Sequence, residues 1–382
     1  MLSEEQVQVR DTVRRFADEA IRPLAGELDE SERFPEEIYR EMAALGLFGI
    51  GVPAELGGAG MDTQAYALVM EELSRGYASV ADQCGLVELI GTLLVRYGTD
   101  AQRERYLGPT LRAERRCAYA ITEAEAGSDV SGIRTTATKT PGGWRLDGGK
   151  LWIHNAPICD FAVVLARTDK DAGHRGMSIF IVDRDRPGFS VGKREHKMGQ
   201  RASPVGALHF DGIELPEEAL LGPLNRGFHI MMSVLDKGRV GIAALAVGIA
   251  QAGMEAALGQ AAQRKQFGRA ILDNQGLQWM LADMAQGIQA ARLLTWDAAR
   301  KLDAGDPATT MACSMAKCTA GDVAVRETAN AVQVFGGTGY IKGFEVERLY
   351  RDAKICQIYE GTNQIQRTII ARELIKAAGV GV

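Results

Sequence analysis

The spacing of apolar residues changes twice along the chain, and this limits the folds that the sequence can adopt. From Ser3 to about Leu111 apolar residues recur at helical intervals. Between Cys117 and Phe210, short β-branched and aromatic runs alternate with glycine-rich turns, as in a small β barrel or sandwich. Near Arg226 helical spacing returns. The pattern predicts an α+β multidomain protein, mostly α, with an N-terminal all-helical domain (1–115), a middle β domain (116–225) and a C-terminal four-helix bundle (226–382).

Capping residues and prolines predict where several helices begin and end. Ser3 and Gln6 fit a capping box, and the helix that they start should run over 3–22 and end at Pro23. Asp62 should cap a further helix that Gly76 closes. The C-terminal domain should contain long helices at about 227–265, 273–304, 308–335 and 363–378.

Composition excludes several classes of function. A formal net charge of −5 without a dense Lys/Arg run argues against nucleic acid as a partner. The longest apolar run, Val240 to Ala250, is too short to cross a bilayer and should be a buried core helix, so no membrane is expected. The start of the sequence fits neither a signal nor a transit peptide. The six cysteines are scattered and the five histidines lack metal-ligand spacing, which favours a cytoplasmic protein without a metal site.

The glycine-rich segments do not form a known nucleotide-binding motif. Neither 57–60 nor 336–339 completes G-x-G-x-x-G, and neither joins a strand to a helix of a βαβ unit. There is no phosphate-binding P-loop and no G-x-S-x-G nucleophile elbow. These absences disfavour a nicotinamide-binding Rossmann domain, an ATPase and a serine hydrolase.

Polar clusters lie at the boundaries between the three blocks, and each has an ordinary structural interpretation beside a functional one. Trp152 and His154 share a face of a regular strand and would wall a flat ring, or they are a core Trp and a solvated His. The loop 122–129 offers backbone N–H groups to a ligand, or it is a surface loop. The Arg264–Gly268 segment fits a pyrophosphate contact or a helix end. Glu360, before the helix cap Thr362, is either a base or a capping residue.

Together these clusters make the chain resemble the acyl-CoA dehydrogenase family over essentially its full length. The motifs that carry the resemblance, in family order, are Tyr119–Glu123, Ala126–Asp129, Trp152-Ile153, Met198–Arg201, Arg264–Gly268, Phe335–Tyr340, Arg351–Lys354 and Tyr359–Thr362. The resemblance implies three domains in the order given above, bound FAD, and the α,β-dehydrogenation of an acyl thioester. It also implies an electron-transferring flavoprotein as acceptor and a homotetramer, built as a dimer of dimers with FAD bridging subunits.

The resemblance also assigns roles to individual residues. It implies that Glu360 is the catalytic base; in some relatives the base lies on another helix, at a position that corresponds to Gly238 here. The implied FAD contacts are Tyr119, Ile121, Thr122, Ser128, Trp152, His154, Thr362 and Gln364, with Arg264, Phe267, Gln333, Gly336 and Gly337 from a neighbouring subunit. The implied substrate contacts are Ser128, Asp236, Arg239, Tyr359 and Gly361. We expect burial to raise the pKa of Glu360 and the adjacent helix N-terminus to lower it, with burial dominating once substrate is bound.

The sequence departs from the family pattern at three places. His154 replaces a threonine whose hydroxyl binds the flavin in relatives, and it either donates from a ring nitrogen or turns away. Glu125 adds a negative charge to the loop 122–129. In the segment expected to line the acyl tail, Asp82 and Glu88 either face solvent or indicate a polar or short acyl group.

Three alternative functions stay open. An acyl carrier protein thioester would use the same residues around the base, so the sequence does not separate it from a CoA thioester. A flavin monooxygenase or oxidase of the same fold is disfavoured by Glu360. A non-catalytic scaffold is disfavoured because both the flavin motifs and the base are present.

Overall fold

A computed structural model describes residues 2–379. Its first part is helical, and the predicted caps hold there. Ser3 and Gln6 form the capping box, with Gln6 N donating to Ser3 Oγ over 3.1 Å, and Asp62 accepts from Ala65 N over 2.7 Å. The helices are α1 (Glu4–Phe16), α2 (Ala25–Ser31), α3 (Glu36–Ala44), α4 (Thr63–Gly76), α5 (Ala78–Tyr97), α6 (Asp100–Gln102) and α7 (Gly108–Leu111).

The first helix does not end at Pro23, and that prediction is wrong. The chain passes through a π turn (Ala17–Ile21) and a 3₁₀ turn (Arg22–Leu24) into α2. Proline lacks a backbone N–H, and its ring collides with the carbonyl four residues earlier in a regular α-helix. The wider π turn before Pro23 relieves that collision, so the chain stays helical from α1 into α2.

The middle part of the chain forms one hydrogen-bonded sheet of eight strands. Its path runs β6-β7-β3-β2-β4-β5-β8, and β1 pairs in parallel with β4. The register between β3 and β7 shifts between Lys150 and Ile153, which marks a bulge. The strands are β1 (Cys117–Ala120), β2 (Thr136–Thr140), β3 (Gly143–His154), β4 (Phe161–Arg167), β5 (Met177–Asp183), β6 (Phe189–Arg194), β7 (Val205–Pro216) and β8 (Leu220–Leu221).

The C-terminal part is again helical, as predicted. A two-stranded hairpin, β9 (Lys265–Gln266) with β10 (Arg269–Ala270), connects the first two of its helices. The helices are α8 (Gly227–Gln263), α9 (Gln275–Asp303), α10 (Thr309–Phe335), α11 (Glu345–Ala353) and α12 (Asn363–Ala377). The three-part architecture, with a helical N-terminal part, a middle β-sheet and a C-terminal helical part, is thus confirmed.

Helices α5 and α8 are long and apolar enough to cross a membrane, but both are core helices of this fold. Their most apolar 18-residue windows are 83% and 78% buried inside the protein. Helix α8 packs along α4, α5, α9 and α10, so it joins the N-terminal helices to the C-terminal bundle. The expectation that Val240–Ala250 lies in a buried helix is confirmed.

Candidate active site

Glu360 lies at a left-handed joint between a 3₁₀ turn (Lys354–Gln357) and α12. Its φ is +54°, and φ of Gly361 is +85°. Thr362 then caps α12, because its hydroxyl accepts a hydrogen bond from Ile365 N over 3.2 Å. A left-handed residue with a Cβ is disfavoured, and such strain is found mainly where surrounding contacts hold it in place.

The carboxylate of Glu360 faces the position that glycine occupies on α8. A Cβ added at Gly238 would lie 2.8 Å from Glu360 Oε2 and 3.2 Å from Leu89 Cδ1. Glu360 Oε2 is buried, and within residues 2–379 it has no hydrogen-bond partner. Buried polar atoms are nearly always paired in native proteins, so an unpaired carboxylate oxygen here indicates a place for a ligand.

Burial raises the pKa of Glu360 from 4.5 to about 7. The positive charges of Arg239 and Lys317 lower this pKa, and the negative charge of Asp82 raises it further. Burial therefore dominates even before any substrate is present. Two cations, one on α8 and one on α10, oppose the effect of burial, and the expected effect of the helix N-terminus stays a prediction.

Arg239 is paired with Asp236 one turn earlier on α8, and Thr310 of α10 holds Asp236 in turn. Arg239 Nη1 donates to Asp236 Oδ1 over 2.7 Å, and Asp236 Oδ2 accepts from Thr310 Oγ1 over 2.9 Å. Arg239 Nε is buried and has no partner in the described residues. The two predicted substrate contacts Asp236 and Arg239 thus form one unit, whose cation acts on Glu360.

The bulge in β3 separates Trp152 from His154, so the prediction that they share a strand face is wrong. Trp152 has φ of +56° and is 62% exposed. The left-handed residue breaks the two-residue alternation of side chains along the strand. His154 instead turns towards α5, and neither a core Trp nor a solvated His describes this pair.

His154 belongs to a polar network that the sequence did not reveal. Its Nδ1 lies 3.3 Å from Asp82 Oδ2, and its Nε2 lies 2.8 Å from Gln83 Nε2 and 2.7 Å from Ser203 Oγ. Gln83 also exchanges two hydrogen bonds with the amide of Asn155, at 2.8 and 3.0 Å.

The imidazole is surrounded by groups that can both donate and accept, because the Ser203 hydroxyl and the amides of Gln83 and Asn155 carry both functions. Asp82 is the one carboxylate among these partners. Burial lowers the pKa of His154, which agrees with a neutral ring, while Asp82 opposes that shift.

Neither acid of the α5 segment is turned out into solvent. Glu88 is 1% exposed, binds Lys237 Nζ over 2.5 Å and accepts from Gly51 N over 3.1 Å. The side chain of Asp82 is 14% exposed, and its Oδ2 also accepts from Ser203 Oγ over 2.9 Å. The solvent-facing alternative is wrong for both residues, because each is held by partners from other parts of the chain.

A buried ion pair anchors the loop 122–129. Lys150 Nζ donates to Glu123 Oε1 and to the carbonyl of Ile121, each over 2.8 Å. The same carboxylate accepts from Arg134 N over 2.6 Å and from Thr135 N over 3.0 Å. Glu125 is exposed and pairs with the Arg134 side chain over 2.6 Å, so part of its added charge is balanced.

Besides Glu360, His154, Asp236 and the buried Arg239, the predicted site residues form a half-buried group and an exposed group. Tyr119, Ile121, Thr122, Tyr359, Gly361 and Thr362 are half-buried. Tyr119 Oη is buried and has no partner in the described residues, and burial raises its pKa, with the charge of Glu360 adding to the effect. The exposed group is Ser128, Trp152, Arg264, Phe267, Gln333, Gly336, Gly337 and Gln364. Phe267, between β9 and β10, is 101% exposed, so a single chain gives its ring nothing to pack against.

Sequence reasoning missed Gln83, Ser203 and Lys317. Lys317 had a detectable signal, because it is a single cation among small and apolar residues in the middle of α10. Gln83 and Ser203 carried no comparable signal, since a lone amide or hydroxyl is common in any segment.

The three domain models of one family cover nearly the whole chain. The acyl-CoA dehydrogenase N-terminal, middle and C-terminal domains match residues 3–114, 118–213 and 225–375. Among similar proteins are an acyl-CoA dehydrogenase of Bacillus subtilis (44% identical) and a 3-(aryl)acrylate reductase of Clostridium sporogenes (43%), each covering 98% of this chain and 99% of its own length. The caffeyl-CoA reductase–Etf complex subunit CarC of Acetobacterium woodii is 42% identical, with 98% and 99% covered.

Solved structures agree with this assignment. Butyryl-CoA dehydrogenase from Megasphaera elsdenii superposes with a TM-score of 0.95 at 38% identity, covering 98% of this chain and 99% of that one. An FAD complex of PigA superposes with a TM-score of 0.94 at 28% identity, covering 100% and 99%. On this evidence the chain belongs to the acyl-CoA dehydrogenase family and is an FAD-dependent oxidoreductase.

Proposed function

We propose that the protein oxidises an acyl-CoA thioester to the trans-2-enoyl thioester, with Glu360 as the base that removes the α-proton. The observation that carries this proposal is the buried, unpaired Oε2 of Glu360 beside Gly238. A base works best when its pKa lies near the operating pH, and burial brings the pKa of Glu360 to about 7.

Glu360 also offers a backbone donor. Within residues 2–379 no hydrogen bond engages its N–H. A free donor next to the base suits the thioester carbonyl oxygen, where negative charge develops as the α-proton leaves. One residue then both takes the proton and stabilises the charge that its removal creates.

The chain's own residues fit FAD at the same place. Tyr119 Oη is buried and has no partner in the described residues, and the indole of Trp152 is exposed. Lys150 holds the loop 122–129 through its ion pair with Glu123. When bound, FAD would supply the acceptor for the β-hydride, and Glu360 would take the α-proton as the carbon–carbon double bond forms. We assign the remaining FAD contacts to Ile121, Thr122, Ser128, Thr362 and Gln364, and across a subunit boundary to Arg264, Phe267, Gln333, Gly336 and Gly337. We leave the ring of His154 out of this set, because Asp82, Gln83 and Ser203 engage both of its nitrogens.

We propose that Ser128, Asp236, Arg239, Tyr359 and Gly361 contact the substrate, whose acyl group is short or polar. The support comes from the α5 segment. Lys237 neutralises Glu88. Asp82 differs, because its Oδ1 has no hydrogen bond in the described residues. Its negative charge raises the pKa values of Glu360, Tyr66 and Tyr359. A negative charge near the base disfavours a long plain alkyl chain, which offers it no donor.

A second candidate is the reverse reaction, the reduction of a 2-enoyl thioester. Two of the relatives are named as reductases, one of aryl acrylates and one of caffeyl-CoA. The same base would then deliver the α-proton, so the site chemistry serves both directions. We propose an electron-transferring flavoprotein as redox partner, since CarC is named as a subunit of such a complex.

We also propose a homotetrameric dimer of dimers and a cytoplasmic location. The exposed cofactor residues, with the ring of Phe267 foremost, support a second copy of the chain. The six cysteines are free and buried, which suits a reducing compartment.

The test is anaerobic flavin bleaching by a panel of acyl thioesters. Butyryl, 3-phenylpropanoyl, 3-(4-hydroxyphenyl)propanoyl and dodecanoyl groups are each offered on CoA and on acyl carrier protein. Glu360→Gln should keep FAD and lose bleaching with every substrate, because an amide does not accept the α-proton. The control Glu41→Gln, on the exposed face of α3, should behave as wild type. Wild-type bleaching by Glu360→Gln would refute the base assignment, and preference for dodecanoyl would refute the substrate proposal.

A further inference from the structure

Lys317 projects from α10 directly under the joint that carries Glu360. Its Nζ donates to the carbonyl oxygen of Gly361 over 2.7 Å and to Asn363 Oδ1 over 3.1 Å. The side chain is fully buried. In the described part of the chain, no carboxylate lies within 4.0 Å of its ammonium group. A buried cation without an ion pair is costly, so its position calls for an explanation beyond packing.

The carbonyls of Glu360 and Gly361 accept hydrogen bonds from side chains, because these two residues precede α12 and are not part of its backbone hydrogen bonding. Gln366 Nε2 donates to the carbonyls of Glu360 and Gly361, over 3.0 and 3.1 Å. Gln366 belongs to α12 itself, so it moves with the joint. Lys317 ties the joint to a different helix.

Asn363 extends this tie between α10 and α12. Its Nδ2 donates to the carbonyl of Cys318 over 3.1 Å and to Asp322 Oδ1 over 2.8 Å. Hydrogen bonds with Lys317, Cys318 and Asp322 therefore connect the joint and the start of α12 to the core helix α10. Of these three residues, Lys317 is the one that contacts a left-handed residue, Gly361.

We propose that Lys317 is a positioning residue, which fixes the left-handed joint through the Gly361 carbonyl and so aims the Glu360 carboxylate at the space beside Gly238. This inference rests on the proposed function, because it concerns the geometry of the proposed base. Lys317 touches the joint and is separated from the reacting atoms by it, so its effect on the reaction passes through Glu360.

The charge of Lys317 adds a second, separable effect. The charged groups that act on Glu360 come from three helices: Arg239 on α8, Lys317 on α10 and Asp82 on α5. The phenols of Tyr66 on α4, Tyr119 on β1 and Tyr359 also lie close enough for the charge of Glu360 to raise their pKa values. Tyr119 stays neutral because burial raises its pKa. Burial lowers the pKa of Lys317 to about 8, so its amine is still largely protonated at neutral pH. Without this cation, Arg239 would be the remaining positive charge that lowers the pKa of Glu360, while burial and Asp82 would still raise it.

Three variants separate position from charge. Lys317→Met removes the tie and the cation, whereas Gln366→Met removes the other donor to the joint without a change in charge. Lys354→Met is the control, since Lys354 is exposed and its one hydrogen bond within residues 2–379 is to Gln357 Oε1, over 2.7 Å. The measurements are kcat and KM for flavin reduction from pH 5.5 to 8.5, with FAD content and unfolding midpoint recorded for each variant.

We expect Lys317→Met to lose roughly 100-fold in kcat, the size of effect that a 1 Å misplacement of a catalytic group produces, with little change in KM. The acid limb of its pH profile should move to higher pH, because a cation that favoured ionised Glu360 is gone. Gln366→Met should lose rate while keeping the wild-type pH midpoint, and Lys354→Met should match wild type.

Wild-type kcat and an unmoved pH midpoint in a folded, FAD-loaded Lys317→Met enzyme would overturn the inference. Should Lys317→Met fail to fold or to hold FAD, Lys317→Gln decides, because it keeps a side-chain donor without the charge; a wild-type kcat together with an unmoved pH midpoint there overturns the inference equally. An inactive Glu360→Gln beside a normal Lys317→Met removes only the positioning role. An active Glu360→Gln removes the proposed function itself.

Discussion

Replacing Glu360 by glutamine should change how the stability of the protein depends on pH. In the folded protein burial holds the pKa of Glu360 at about 7, against 4.5 for the free side chain. Between these two pH values the folded state binds more protons than the unfolded state. The free energy of unfolding that Glu360 contributes therefore falls as pH rises from 4.5 to 7, and then levels off.

The size of the effect follows from the two pKa values. The difference corresponds to about 3 kcal/mol between the low-pH and the high-pH limit, at about 1.4 kcal/mol for each pH unit. Glutamine resembles the protonated acid and does not titrate. Glu360→Gln should thus be more stable than wild type by less than about 1 kcal/mol at pH 4.5 to 5, and by about 3 kcal/mol at pH 7.5 to 8.

The assay is urea unfolding of the FAD-loaded protein at half-unit steps from pH 5 to 8, with excess FAD and fixed protein concentration. Glu41→Gln, at an exposed position of α3, serves as the matched control and should show no such trend. A difference between Glu360→Gln and wild type that stays constant over this range would show that Glu360 titrates as an ordinary exposed carboxyl. The burial argument for its basicity would then fail.

Two further predictions concern contacts around the site. Gly238→Ala should lower kcat strongly, because its Cβ would lie 2.8 Å from the carboxylate oxygen of the proposed base. Gly259→Ala, on the same helix, is the control; its Cβ would meet nothing within 4 Å, so kcat should not change. Equal rates for the two variants would contradict the crowding argument. Lys150→Met should destabilise the fold by about 3 kcal/mol in urea unfolding, since it leaves the buried Glu123 without its cation, while Lys139→Met, in an exposed pair, should cost less than about 1 kcal/mol. Similar losses for both lysines would contradict the role of burial.

The sequence predicted the start of a helix correctly where the capping residue and its partner lie in the same short segment. Ser3 with Gln6 and Asp62 mark helix starts, because a cap and its partner lie three residues apart. Pro23 misled the prediction, since the π turn that accommodates it has no sequence rule of its own. Trp152 misled it as well, because a bulge depends on the register with a neighbouring strand.

The site was predictable to the extent that the family motifs carry it. The resemblance identified Glu360 as the expected base. The structure added its surroundings, which are Gly238 and Arg239 on α8 and Lys317 on α10. The network of Asp82, His154 and Ser203 joins three segments that lie far apart in sequence. Side chains of that kind meet only through tertiary packing, which neither hydrophobic period nor capping rules describe.

The short distance between position 238 and the base has a consequence for how this active site can evolve. A side chain at 238 and the carboxylate of Glu360 claim the same volume, since even a Cβ would lie 2.8 Å from Oε2. An acid gained at 238 would therefore displace the existing base before it replaced it. Moving the base from one helix to the other requires passage through an intermediate of low fitness or two changes at once, so the two arrangements should mark separate lineages of the same fold.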